Sequence, residues 1–475
     1  METPALTTAS RSTKMPAVKG RTPAIFRVLT AASGCALVFS LWSPHPRAAE
    51  FPIRDTRTSI EREAFAAFKK ARYDRVVHLL ETAPPGHEPS RELLRVSLLS
   101  YLRLGRPETA LKTYARLVPP GRPDDSNILR ELAWGFITER LRDPEEHLRI
   151  TAYTALAEIA GPEAIPFLED GLLDVSILVR ARAVEGLGRT GRAASLPGLK
   201  RALGDRALAV RIAALNALAD VREPGVLDLV TRVARAEDGA AHVFALAAMV
   251  QLGKSEALDD IVSAATLPDA DARMAALGVL GRLRLPAGLA VLSQSVYDPD
   301  PSVRAFAAGG LGELGSPGGA TPLTHALGDE SARVRSVAAA SLGRLRLAHT
   351  RPLLRQLARD PVELVRAGAV EGLLRLGDNE ALLTAMDLGK HSDPSVRSAV
   401  GQALGLAGNK KVLPVLEPLL QDQQPQPRLT AARALGKIGG QEVVPLLKKA
   451  LQDSDPAVRI AAAGSLAQVL SKTKR

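Results

Sequence analysis

From Asp143 onward, apolar positions recur at three- and four-residue steps, stop, and start again. In the stretch Asp329–Arg359, Val334, Val337, Ala338, Ser341 and Leu342 keep helical spacing. Gly343 marks a break, and Leu353, Leu354 and Leu357 begin a second helical pattern. The stretch therefore predicts a hairpin of two helices. Such a hairpin buries too little apolar surface alone, so its core must come from stacked neighbours.

Written in rows of 31 from Asp143, the chain shows fixed columns. One reads Arg149, Arg180, Arg211, His242, Arg273, Arg304, Arg335, Arg366, Arg397, Arg428 and Arg459. Six residues earlier stand Asp143, Asp174, Asp205, Ala236, Leu267, Asp298, Asp329, Asp360, His391, Asp422 and Asp453. Three residues after the Arg column lies Ala, replaced once by Val400; seven after it lies Leu, replaced once by Met249. No insertion breaks this register, which predicts an all-α solenoid of about ten hairpins. Asp-Pro pairs between rows, such as Asp360-Pro361, Asp393-Pro394 and Asp455-Pro456, suit helix starts.

These rows resemble HEAT repeats, in particular the short regular type also found in phycobilisome lyases. The resemblance rests on the Asp and the Arg six residues later, the Pro-x-Val-Arg start, the Leu-Gly ending and Leu-Pro before the second helix (Leu196-Pro197, Leu413-Pro414). It covers residues 143–475 and implies a right-handed superhelix in which Asp and Arg form a hydrogen-bonded ladder between adjacent repeats. The ladder would comprise Asp174, Arg180, Asp205, Arg211, Asp298, Arg304, Asp329, Arg335, Asp360, Arg366, Asp422, Arg428, Asp453 and Arg459. It should be interrupted between residues 236 and 273. Stacked openly, the hairpins would extend over about 100 Å.

Residues 50–142 follow another pattern. Ala71-Arg72-Tyr73 and Gly105-Arg106-Pro107 lie 34 residues apart, each ahead of an amphipathic stretch. The spacing is similar to that of tetratricopeptide repeats and predicts a helical cap over the first row, with Trp134 and Phe136 at the junction.

Charge changes the picture little once it is divided. Six cations against Glu2 in residues 1–49 supply +5 of the net +11, which leaves +6 for the whole remainder of the chain. That basic segment precedes the apolar run Val28–Trp42, and Ala48-Ala49 follow. The run is shorter than the roughly 20 residues that a membrane-spanning helix needs. The pattern predicts an export signal over residues 1–49 and a bacterial periplasmic or envelope location, with Met1 or Met15 as the start. Ala32-Ser33-Gly34-Cys35 resembles a lipobox, so lipidation at Cys35 or retention as an anchor are the membrane alternatives.

Candidate chemistry is sparse. Cys35 is the sole cysteine, and no two of the eight histidines stand three or four residues apart. No catalytic residue, cofactor site or metal site is expected, and the Asp-x-Asp segments lack the remaining ligands of a calcium loop. The phycobilisome-lyase likeness implies an alternative, a lyase-like enzyme or enzyme accessory subunit. A nucleic-acid binder is the second alternative, opposed by the Asp that accompanies each Arg. The leading expectation is an exported non-catalytic scaffold or assembly factor that holds a protein partner. HEAT geometry implies second helices on the concave face, which points to Lys200, Arg201, Arg232, Arg355, Lys448 and Lys449 as partner-binding residues.

Overall fold

The structure, a computed structural model, describes residues 58–84, 86–191, 196–220, 223 and 225–472. All lie in the compact unit Arg54–Arg475. The expected export segment, with Cys35, Met1 and Met15, falls outside the described residues.

Every ordered element among the described residues is helical. Eleven first helices run from Glu146–Ile159 to Pro456–Lys472, one per row, and ten shorter second helices run from Ile165–Gly171 to Val444–Ala450. The two fixed apolar columns explain this regularity. All eleven residues of the Ala column, Ala152 through Val400 to Ala462, are fully buried, as are Leu156, Leu187, Leu218, Leu280, Leu311, Leu342, Leu404, Leu435 and Leu466 in the Leu column. Each side chain fills the angle between its own hairpin and the next.

First helices end on residues in the left-handed region, three after the position of Gly343: Gly191, Gly315, Arg346, Gly377 and Gly408 belong to that column. Gly343 itself is therefore not a break. It lies inside helix Ala332–Leu345, buried, where an added Cβ would overlap the backbone of Gly372 in the neighbouring first helix. The same relation to the next row recurs at Gly188, whose Cβ would stand 2.5 Å from Ala217 Cβ, and at Gly312 and Gly436 against Ser341 and Ser465. Small residues here let first helices touch backbone to backbone.

First helices consequently pack on both neighbours, while second helices pack on first helices and stay spaced from one another. The closely spaced layer of a curved array is its inner one. This reverses the expectation taken from the resemblance: second helices form the outer, convex layer, and first helices line the concave side.

The curvature closes. Helix Pro456–Lys472 packs on helix Glu146–Ile159 of the first row as it packs on helix Pro425–Ile438 of the row before it. Gly464 faces Ala155 across this seam, one helical turn before Ala467, which occupies the position of the interior glycines. Eleven helices at ~9 Å spacing make a ring of roughly 100 Å circumference, with an opening of about 20 Å between helix surfaces. The open array extending over about 100 Å is thus corrected to a ring.

The helices before the first row are Ser59–Lys69, Tyr73–Glu81, Arg91–Arg103, Pro107–Leu117 and Ser126–Thr138. The last does more than cover the first row, as the cap was expected to. It packs against helix Pro456–Lys472, with Leu129, Leu132, Phe136 and Ile137 buried, and stands where that helix would have its second helix. The eleventh hairpin is built from the two ends of the array. Trp134 reaches the first row through Phe167, ring centroids 6.2 Å apart.

Candidate functional site

The Asp–Arg columns form a structural belt. Arg304 Nε and Nη2 donate to Asp329 Oδ2 and Oδ1 at 2.7 and 3.0 Å, and Arg304 Nη1 donates to the carbonyl of Asp298 at 3.0 Å. Each Arg thus grips the main chain of its own row and the carboxylate of the next. The same forked pair joins Arg149 to Asp174, Arg180 to Asp205, Arg273 to Asp298, Arg335 to Asp360, Arg397 to Asp422 and Arg428 to Asp453. The carboxylates also accept the amide two residues on, as Asp205 does from Ala207 at 2.8 Å.

Around the substituted rows the belt is repaired. Arg211 Nη2 reaches Glu237, one residue past Ala236, at 3.0 Å, while His242 Nδ1 lies 2.7 Å from the Ala234 carbonyl. With His391 in the next row, Arg366 pairs with Glu363 instead, at 3.1 Å. Arg459, in the eleventh row, meets Glu108 of helix Pro107–Leu117 at 3.3 Å. These arginines are occupied by the fold.

The hydrogen bond from Arg180 lowers the Asp205 pKa against the opposing effect of burial, and Arg397 does the same for Asp422. A carboxylate that titrates lower when folded contributes its full stabilisation above its unfolded pKa, about 4, and loses it as pH falls through the folded value. Thermal melts should therefore drop steeply only on the acid side of about pH 4. At neutral pH, Arg335→Ala should cost about 1–3 kcal/mol, since it strands the mostly buried Asp360 carboxylate. Arg206→Ala, at an exposed position, should leave the melting temperature nearly unchanged.

The residues expected to bind a partner are dispersed over the outer layer, and two serve the fold. Lys448 Nζ binds both oxygens of Asp124 at 2.8 and 2.9 Å, tying the last second helix to the segment before helix Ser126–Thr138. Arg355 pairs with buried Asp378 at 2.7 Å and with Glu380 at 3.1 Å. Arg201 is exposed and 3.9 Å from Glu169; Lys200, Arg232 and Lys449 are exposed as well. They do not converge on a site.

The concave wall offers a denser arrangement. Two columns four residues apart, through Arg433 and Lys437, point away from the second helices. In the last five rows they hold Arg344, Arg375, Arg433 and Lys437 against the single acid Glu371. In the first six rows they hold Glu158, Glu185, Asp220 and Glu313 against Arg189 and Arg282. One arc of the wall is basic and the other mildly acidic.

Buried Glu371 is shared: Arg344 Nη2 and Arg375 Nε reach its Oε1 at 3.3 and 3.2 Å, so one of the two positive charges stays unmatched. Arg433 makes no hydrogen bond or ion pair with any described residue. Desolvation lowers its pKa, a shift that Glu158 opposes and the like charge of Arg182 reinforces, from rows on the far side of the seam. Desolvation also lowers the Arg282 pKa, opposed by Asp220 and Glu313, and its guanidinium lies 5.8 Å from the Phe244 ring centre. Both groups remain cationic at neutral pH. Charges two and three rows apart thus bear on Arg433, and charges one and two rows apart on Arg282, which fits side chains that face the inside of the ring.

Among the described residues, no group of three or more His, Cys, Asp or Glu is placed to hold a metal ion. No helix among them is long and apolar enough to cross a membrane.

The architecture and its inter-row belt define an α-solenoid of repeated helical hairpins. A family profile described as HEAT repeats matches residues 172–242, 289–373, 350–428 and 416–474, and the chain belongs to that family. Among solved structures, human deoxyhypusine hydroxylase in complex with glycerol is 20% identical over 53% of this chain and 98% of its own, with a TM-score of 0.30. The complex of CpcE and CpcF of phycocyanin lyase from a Nostoc species is 18% identical over 59% of this chain and 95% of its own, with a TM-score of 0.31. Kap121p is 17% identical over 82% of this chain and 55% of its own, with a TM-score of 0.32. No curated protein sequence matches the chain.

Proposed function

We propose that the chain is an exported, non-catalytic scaffold that holds a protein partner in its ring. The observation that carries this reading is the concave wall. Its charged columns change from row to row while the Ala, Leu and Arg columns stay fixed, and Arg433 sits there with no hydrogen bond or close ion pair among the described residues. Concave faces of repeat arrays are extended binding surfaces, and unused charge on a wall otherwise built for packing supports binding rather than stability.

Site-specific photo-crosslinking in intact cells tests it. A photoreactive residue at Gln402, exposed on the wall, should capture a protein, whereas one at Lys449 on the outer layer should not. Capture from Lys449 alone would place binding on the convex layer. Export is tested by N-terminal sequencing: a mature end near Glu50 supports it, and an intact Met1 or Met15 in the cytosol defeats it.

A further inference from the structure

We infer that the basic arc of the concave wall takes an extended acidic peptide segment that enters the ring. The inference rests on the scaffold reading and specifies what its wall recognises. Across the last five rows the two inward columns carry three positive charges beyond what Glu371 balances. Arg344 and Arg375 already lean on that carboxylate, with Arg375 also donating to the Leu406 carbonyl at 2.6 Å. Arg433 and Lys437 stand one turn apart on helix Pro425–Ile438, with no acid bound to either among the described residues.

The charge of this arc favours an anion. Arg433 feels the attraction of Glu158 and the weaker repulsion of Arg182 from beyond the seam, yet its partly desolvated guanidinium has no hydrogen-bonded acceptor among the described residues. A carboxylate brought to Arg433 would supply the acceptors that it lacks among the described residues. Gln402, exposed beside this arc, adds a neutral donor and acceptor for a main chain.

The form of the ligand follows from the wall. The wall offers no flat aromatic platform in this arc, since Phe244 and Phe306 lie in other rows, so stacking of nucleobases has nothing to act on here. An opening of about 20 Å admits an extended chain or a single helix and excludes a folded domain or a duplex. Cations on three of the last five rows, at Arg344, Arg375 and the pair Arg433 and Lys437, match a peptide with several acids along its length.

The test is fluorescence anisotropy of the full chain with a fluorescein-labelled oligoglutamate, in parallel with an oligothymidylate of similar length. Binding of oligoglutamate that weakens as salt is raised is expected, with Arg433→Glu plus Lys437→Glu reducing affinity at least ~10-fold. Arg433→Gln, which adds no charge, should give a smaller loss with unchanged helicity, which separates recognition from folding. Lys200→Glu plus Arg201→Glu, on the outer layer, should bind like the unsubstituted chain. Equal affinity in the wall and unsubstituted proteins, or equal losses from the wall and outer variants, overturns the inference. Tighter binding of oligothymidylate, abolished by the wall variant, replaces the acidic peptide with nucleic acid. If Gln402 captures a protein while oligoglutamate ignores Arg433 and Lys437, the scaffold reading stands and the acidic specificity falls; if neither occurs, both fall.

Discussion

Gly464→Leu is expected to open the ring while leaving its hairpins folded. A Cβ at Gly464 would stand 2.7 Å from Ala155 Cβ and 3.2 Å from Ala155 Cα, so a larger side chain cannot fit without separating the two helices. Overpacking costs about 1–3 kcal/mol and more where backbone is the obstacle. At the seam that cost has an outlet, because the rows on either side are joined through no covalent neighbour. The expected result in small-angle X-ray scattering is a larger radius of gyration, with helical circular dichroism retained. An unchanged radius would show that the seam, with Lys448–Asp124 and Arg459–Glu108 beside it, outweighs the wedge.

Gly343→Leu should instead cost more stability than either Gly464→Leu or Arg335→Ala. Its Cβ would overlap the Gly372 backbone, and Gly372 is in turn pressed against the Ala339 carbonyl, with its own Cβ position 2.5 Å from that oxygen. Covalent neighbours hold these rows together on both sides, so the strain cannot be released by parting them. A cost of about 3 kcal/mol or more is expected, well beyond the ~1 kcal/mol that replacing a helical glycine returns in propensity. Chemical denaturation monitored by circular dichroism measures it. Gly343→Ala should fall between the leucine variant and the native chain, still destabilised, and a stabilised Gly343→Ala would contradict the backbone contact.

The hairpins, their period and the Arg and Asp columns were legible because each depends on residues within one or two rows. The direction of curvature was not. It depends on small side chains at Gly281, Gly312, Gly343 and Gly372, which read equally well as helix breakers until their neighbours in the adjoining row are known. With the curvature reversed, the candidate residues moved as well: Lys200, Arg201 and Arg232 went to the outside, and the concave wall passed to Arg344, Arg375, Arg433 and Lys437. Closure left even less trace, since Lys448 and Asp124 lie 324 positions apart and no local pattern links them.

The eleventh hairpin, assembled from both ends of the array, also governs how the molecule comes apart. An open solenoid melts from its termini, where the last unit has one neighbour instead of two, and its least protected amides are found there. Here the first and last rows cover each other, so unzipping has no terminal row from which to begin. Breaking the array must start by parting the seam, which helix Ser126–Thr138 holds, or by extracting an interior unit, and protection against amide exchange should be nearly level from row to row. The detachable piece is then a single helix of 13 residues, which acts as the latch for the entire stack of rows.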